Sequence, residues 1–293
     1  MSALTAPPRM GRARRFAGQF FRTPTAIAGV AILGVFTVAA LTAPLYIHSS
    51  DLDVTQATGG QLAPPTRHYP LGTDQPGRSV LLLLIWGARA SLAIGVIATL
   101  LAVVLGSAIG LLAGHYQRWL GRGLMHLTDW FIAVPSLPLA ISLAAVLGQG
   151  ATSITIAIAI TSWTATARLI RAQTLAVEAR PFIERARALG AGNVQIMVRH
   201  VLPNVAPLIL VSTTLTVAGA ILAETTLTFL GLGNPTEVSW GTMINEAYTG
   251  SAVSRGAWWY LLPPGIAIVV VVLGFTMTGR AIEHILDPRM ATR

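Results

Sequence analysis

Leu92–Ala113 reads LAIGVIATLLAVVLGSAIGLLA, an unbroken apolar run without one charged side chain. A helix of roughly 20 such residues spans the ~30 Å hydrocarbon core of a bilayer. Five further stretches read as spans: Thr25–Ile47, Leu124–Leu147, Ile154–Ile170, Val205–Phe229 and Trp258–Met277. In the shortest, Ile154, Ile156, Ile158 and Ile160 alternate with Thr and Ala, the period of a strand. A membrane barrel would repeat that alternation throughout, in segments of about 10 residues. The other five runs are continuous, so an all-α bundle of six transmembrane helices is predicted. Val80–Trp86, cut off from the second span by Gly87, Ala88 and Arg89, reads as a short interfacial helix. Pro44, Pro135, Pro138, Pro263 and Pro264 fall in or near spans, where neighbouring helices re-satisfy freed backbone groups.

Composition agrees with lipid as the solvent. The 293 residues are 53% hydrophobic and only 11% charged, against about 25% charged in ordinary soluble domains. The net charge of +9 raises nucleic-acid binding. The arginines, however, sit in short segments between apolar runs, as the positive-inside rule requires, so no nucleic-acid partner is expected. Cysteine is absent, which excludes disulfides, thiolate metal sites and cysteine nucleophiles. All 20 basic residues are Arg. Without a Lys the chain cannot build a P-loop, so any ATPase must lie on another polypeptide.

Placing the N-terminus inside leaves Arg67, Arg78, Arg89 and Arg255 outside and every other Arg in a cytoplasmic segment. Both termini are then cytoplasmic. A cleaved signal peptide is the competing reading of the N-terminus, but the first apolar run exceeds the 7–15 residues of a signal core. Ser49–Gln75 and Gly231–Ala257 become external excursions.

The most informative segment is Arg171–Pro203, helix-prone and arginine-rich, with Glu178 and Glu184 as its acids. Ile183, Ala186, Leu189 and Val194 recur at helical spacing, Gly190 reads as a stop, and Pro203 opens the next span. A short amphipathic helix here can meet the membrane domain on one face and a partner on the other.

At these residues the chain resembles the membrane subunits of binding-protein-dependent ABC importers. Glu184, Ala186, Gly190, Leu202 and Pro203 match that family's cytoplasmic loop in register, with Arg185 departing at the middle alanine and His200 standing where Ile is usual. Further strings are similar to the dipeptide/oligopeptide/nickel branch, C-type subunit. They are Leu71-Gly72-Thr73-Asp74 with Gly77-Arg78, Gly87-Ala88-Arg89 with Ser91-Leu92, Ala186–Ala191, Arg199-His200 with Leu202-Pro203-Asn204, Phe229–Gly233, Ser239-Trp240-Gly241 and Asp287-Pro288-Arg289. Ser79, Gln117-Arg118 and Gly279-Arg280 depart from the branch.

The resemblance implies a type I ABC importer permease fold in a bacterial cytoplasmic (inner) membrane. Residues 1–70 would hold the N-terminal tail, first span and external loop, and 71–293 a five-helix core with a coupling loop over 173–203. It implies a coupling helix contacting the ATPase through Ile183, Glu184, Ala186, Arg187, Leu189, Gly190 and Ala191, with His200, Leu202 and Pro203 closing the loop. Glu184 is the favoured polar contact, and Ala186, Leu189 and Gly190 the packing face. Implied partners are a homologous second permease, two ATPase subunits carrying ATP and Mg, and an extracytoplasmic substrate-binding protein. The chain itself would hold no cofactor and perform no bond chemistry. The substrate would be a di- or oligopeptide, with nickel chelate and glutathione as alternatives.

Three charges fall in or near spans: Arg89, Asp129 and Glu224. Ionisable residues in a membrane are functional candidates by default. The preferred reading of Asp129 and Glu224 is a structural charge paired at the second permease, with a pathway role as the alternative; Arg89 is expected to snorkel to the outer interface. Trp240, Trp258 and Trp259, with Trp86 and Trp163, read as an interfacial aromatic belt. The six His residues show no ligand spacing, so no metal site is expected. An ion-driven secondary transporter is the rival class, disfavoured by the scarcity of buried acids. An intramembrane protease is disfavoured by the absence of a His-Glu-x-x-His helix.

Overall fold

The computed structural model describes residues 18–286. Arg9, Arg12, Arg14, Arg15, Arg293 and the Asp287-Pro288-Arg289 string lie outside them. Among the described residues the regular structure is helical, apart from one isolated antiparallel bridge between Thr73 and Ser79. The principal helices are α1 (Pro24–Tyr46), α2 (Val80–His115), α3 (Trp119–Ala133), α4 (Ser136–Leu147), α5 (Ala151–Glu178), α6 (Pro181–Ala188), α7 (Leu202–Phe229), α8 (Trp240–Thr249) and α9 (Trp258–Leu286). Short turns at Ser49–Leu52, Val54–Gln56 and Asn193–Ile196 join them, and a π-helical turn, Met197–Val201, runs into α7.

Two details differ from the sequence expectation. Val80–Trp86 is not a separate interfacial helix. It is the first two turns of α2, a single helix of 36 residues, about 54 Å long at 1.5 Å per residue. Gly87 does not interrupt the helix, because its missing side chain makes room for a neighbouring chain. A Cβ there would stand 3.2–3.4 Å from the backbone of Ser239 and Trp240. The third span is broken into α3 and α4, bent by 91°. Val134 and Pro135 occupy the break in extended or non-helical conformations. Pro138 falls in the first turn of α4, where its missing N–H costs no helical bond.

Among the described residues five helices are long and apolar enough to cross a membrane, and the bent pair makes a sixth if it is one span. The contacts fix its direction. α3 begins beside the C-terminal end of α2. α5 begins at the opposite end of the bundle, where Gly150 donates its N–H to the Leu232 carbonyl just beyond α7 (3.4 Å). The α3–α4 pair therefore carries the chain from one face to the other. α5 then returns, its last residue Glu178 meeting His115 at the end of α2.

α2 and α5 form the closest-packed pair. Gly106, Gly110 and Gly114 recur every four residues on α2 and lie directly on α5. A Cβ at Gly110 would come 2.6 Å from the Ala167 carbonyl oxygen, and one at Gly114 would come 2.6 Å from Thr174 Cβ. Small residues in this spacing let two backbones approach where lipid supplies no hydrophobic drive between helices. α1 leans on α9 in the same manner, with Gly29 against Thr278. Leu41, Leu45, Val104 and Val146 stay exposed on the bundle's outside, as an apolar solvent permits.

The aromatic belt is smaller than expected. Trp258 is exposed at the start of α9, but Trp240 and Trp163 are core residues. Trp240 donates its indole N–H to the Leu84 carbonyl (3.0 Å) and meets Phe36 edge-on. Trp163 is packed edge-on against Phe131.

Candidate functional site

α6 is built by local rules. Arg180 precedes Pro181, whose fixed φ suits the first helical position. Glu184 lies in the first turn, and Arg185 and Arg187 in the last, each complementing the helix dipole. The helix stops in a Schellman arrangement. Gly190 N–H bonds the Arg187 carbonyl (2.9 Å) and Ala191 N–H the Ala186 carbonyl (3.0 Å). Gly190 has a φ of +86°, which a side chain would strain, although no heavy atom lies within 4 Å of where its Cβ would be. Within this chain the glycine serves the turn, and the space above it is open.

The two faces of α6 differ. Ile183 is fully buried among Ile170, Val177, Ile196, Val201 and Val205, with Phe182 and Ala191 packed against the same cluster. Glu184, Arg185, Leu189 and Gly190 face outward, and Ala186 is half-buried. Leu189 is 89% exposed, an apolar side chain that none of the described residues covers. His200 is half-buried and its ring tilts over Phe182, with centroids 6.3 Å apart. Leu202 and Pro203 form the first turn of α7. The structure thus brings Ile183, Ala191 and His200 together beneath α6 and leaves Glu184, Leu189 and Gly190 on its far side.

One member of this site was not singled out in the sequence. The Glu178 side chain is 5% exposed, and its two oxygens are shared between two elements. Oε1 accepts from His115 Nδ1 at 2.6 Å, and Oε2 pairs with the Arg187 guanidinium. The only sequence signal was that an acid stood in an otherwise basic loop.

The intramembrane charges separate into two kinds. Asp129 pairs with Arg168 at 2.6 Å, both side chains about half exposed (52% and 53%). Glu224 is fully buried inside this chain, so a position at a surface shared with another subunit does not fit it. Thr225 Oγ1 reaches its Oε2 at 3.4 Å, and the Ser91 and Ser239 hydroxyls also face the carboxyl. It lies close to Ile94, Ile154, Thr228 and Ser239. Arg89 stacks over the Trp86 ring, 4.3 Å from its centroid.

At the opposite end of the bundle the Gly-rich strings fold into a charged hub. Asp74, fully buried, accepts from Gly77 N–H (2.9 Å), Arg78 N–H (2.6 Å) and Arg78 Nε (2.6 Å). Arg78 continues to Glu246 of α8 (3.1 Å) and the Leu52 carbonyl (3.2 Å). Tyr260 donates its hydroxyl to the same Glu246 oxygen (2.6 Å). Burial works against the Arg78 charge, but Asp74 and then Glu246 more than offset it, so its pKa is raised. Arg78 and Glu246 are 168 positions apart, which is why sequence spacing gave no hint of the hub.

Among the described residues no three His, Asp or Glu side chains converge as a metal site would need. The distinctive features are mechanical: a buried charged hub at one end, a helix with a bare outer face at the other, and a glycine-sutured helix pair between them. A family model described as "binding-protein-dependent transport system inner membrane component" matches residues 106–292. The chain belongs to that family. This ABC importer permease is 36% identical over 273 residues to the dipeptide transport system permease protein DppC of Alkalihalophilus pseudofirmus, covering 93% of this chain and 88% of that one. It is 36% identical over 228 residues to the glutathione transport system permease protein GsiD of Pectobacterium atrosepticum, covering 78% and 74%. The permease is thus an all-α, multi-pass inner-membrane component of the peptide/oligopeptide branch of ABC importers.

Proposed function

We propose that the permease forms half of a translocation pathway for di- and oligopeptides, the other half coming from a homologous second permease. Two ATPase subunits power the pair, one of them gripping α6; a substrate-binding protein delivers peptide at the hub end, and the chain itself hydrolyses nothing. The observation that carries this reading is α6 and its cap, where Glu184, Leu189 (89% exposed) and Gly190 are turned away from the bundle while Ile183 is buried against it. An apolar side chain left bare at a helix end outside the bilayer gains free energy when a partner covers it. The absence of Lys keeps the nucleotide site on that partner.

The hub end is external and the α6 end cytoplasmic in this reading. The described ends of α1 and α9 lie with α6, because α1 and α9 run antiparallel through Gly29 and Thr278 and α9 returns beside α7. The arginine distribution supports an inside position for that face and for both termini. The relative's dipeptide assignment favours peptide over glutathione or a nickel chelate as cargo.

The test is uptake by the reconstituted importer in proteoliposomes. Labelled dipeptide uptake that requires ATP, and that excess peptide but not glutathione or nickel chelate suppresses, is expected. Leu189→Asp is expected to release the ATPase subunits while leaving the permease inserted. Uptake driven by an ion gradient without ATPases would overturn the reading.

A further inference from the structure

The Glu178 carboxylate joins three elements that chain connectivity alone does not hold together. It ends α5, it accepts from His115 at the last residue of α2 (2.6 Å), and it pairs with Arg187 on α6. The His115 and Glu178 side chains are 2% and 5% exposed, so water does not screen this contact as it would a surface pair. Ile183 and Arg187 stand one turn apart on α6, so its inward side carries an apolar contact and then an ionic one.

The two contacts reach different elements. The Ile183 cluster is drawn chiefly from α5 and the start of α7, with Leu111 of α2 packed at its margin. Polar attachment to α2 comes through Glu178. Behind it, the glycine suture at Gly106, Gly110 and Gly114 holds α2 and α5 backbone to backbone.

We infer that Glu178 is a positioning residue for ATP-driven movement: with Arg187 and His115 it clasps α6 to the paired ends of α2 and α5, so that the three travel as one body. This rests on α6 being the helix that the ATPases grip. An eight-residue helix between two turns would otherwise swing on Ile183 and dissipate the stroke. A carboxylate suits this role because both its oxygens accept, one toward each element, and its charge attracts the Arg187 guanidinium, an attraction that an amide at this position would lose.

The test uses the complete importer in proteoliposomes, with peptide uptake and ATP hydrolysis read together. Glu178→Gln and Arg187→Gln are each expected to cut peptide moved per ATP about tenfold, within the usual range of coupling between sites, with ATPase subunits still attached. Their double variant should be no worse than either, and Arg187→Lys should restore most of the loss. Because the chain has no Cys, spin labels at Gln117→Cys, two residues past the end of α2, and Pro181→Cys, the first residue of α6, report the distance between the α2 end and α6. That distance should hold constant through the ATP cycle in the parent and become nucleotide-dependent in Glu178→Gln. A merely structural role would not move this readout.

Undiminished peptide moved per ATP in Glu178→Gln, multiplicative losses in the double variant, or a nucleotide-dependent distance in the parent would each overturn the clasp. Leu189→Asp separates the two readings. If it leaves ATPase attachment intact, the coupling role of α6 fails; if it releases the ATPases while Glu178→Gln transports normally, only the clasp fails.

Discussion

Replacing Arg78 by Met removes the guanidinium from a carboxylate that has no access to solvent. Asp74 would keep its two backbone donors, Gly77 N–H and residue 78 N–H, and lose the Nε bond at 2.6 Å. Breaking one partner of a buried ion pair costs about 3–5 kcal/mol. The arm to Glu246, whose side chain is 45% exposed, adds roughly 0–1 kcal/mol after screening. The bond to the Leu52 carbonyl adds about 1 kcal/mol. Met preserves the apolar stem, and the two remaining donors soften the first figure, so a net loss of about 3–5 kcal/mol is expected. Thermal melting of the purified permease in detergent, followed by tryptophan emission, should fall by an amount on the order of 10 °C. Trp259 lies against Gly72 in the same loop and makes a local reporter. Combining Arg78→Met with Asp74→Asn removes the stranded charge and should recover about 1–3 kcal/mol. A melting shift under about 2 °C for Arg78→Met, or strict additivity in the double variant, would refute the reasoning.

Other substitutions have sharper geometric expectations. Gly110→Leu must push α5 away from α2, since even a Cβ would sit 2.6 Å from a backbone oxygen; overpacking of about 1–3 kcal/mol or more should appear as poor membrane accumulation, checked by immunoblot of membrane fractions. Trp240→Phe loses the bond to Leu84 and part of a fully buried ring, about 1–3 kcal/mol, read by the same melting assay. Gly190→Ala forces a side chain into the left-handed region at a cost of about 1 kcal/mol, and should weaken ATPase attachment in a pull-down far less than Gly190→Leu.

The spans were legible because lipid imposes one rule on every residue facing it, and that rule leaves a continuous apolar run. The stop at Gly190 was legible too, since a positive φ is a local requirement. What escaped was set by neighbours distant in sequence. Gly87 read as a break and is instead the seat for Ser239 and Trp240. Trp240 read as interfacial because an indole at a span boundary carries no mark of which way it points. Pro135 was noticed, but a proline tolerated in a bundle and a proline at a 91° corner have the same one-letter code. Glu178 and Arg78 each have one partner near in sequence, but the contacts that tie them to another element come from His115, 63 positions away, and Glu246, 168 positions away.

The unbroken length of α2 has a consequence of its own. Arg78 of the hub stands two residues before it and the contact with Glu178 is made by its final residue, so a single rod of about 54 Å joins the two ends of the molecule. A rod of that length pivoting at its midpoint by about 5° displaces each tip by about 2.4 Å, in opposite directions. Opening at one mouth and narrowing at the other need no relay of rotamer changes through the interior: they are the same rigid rotation seen from its two ends.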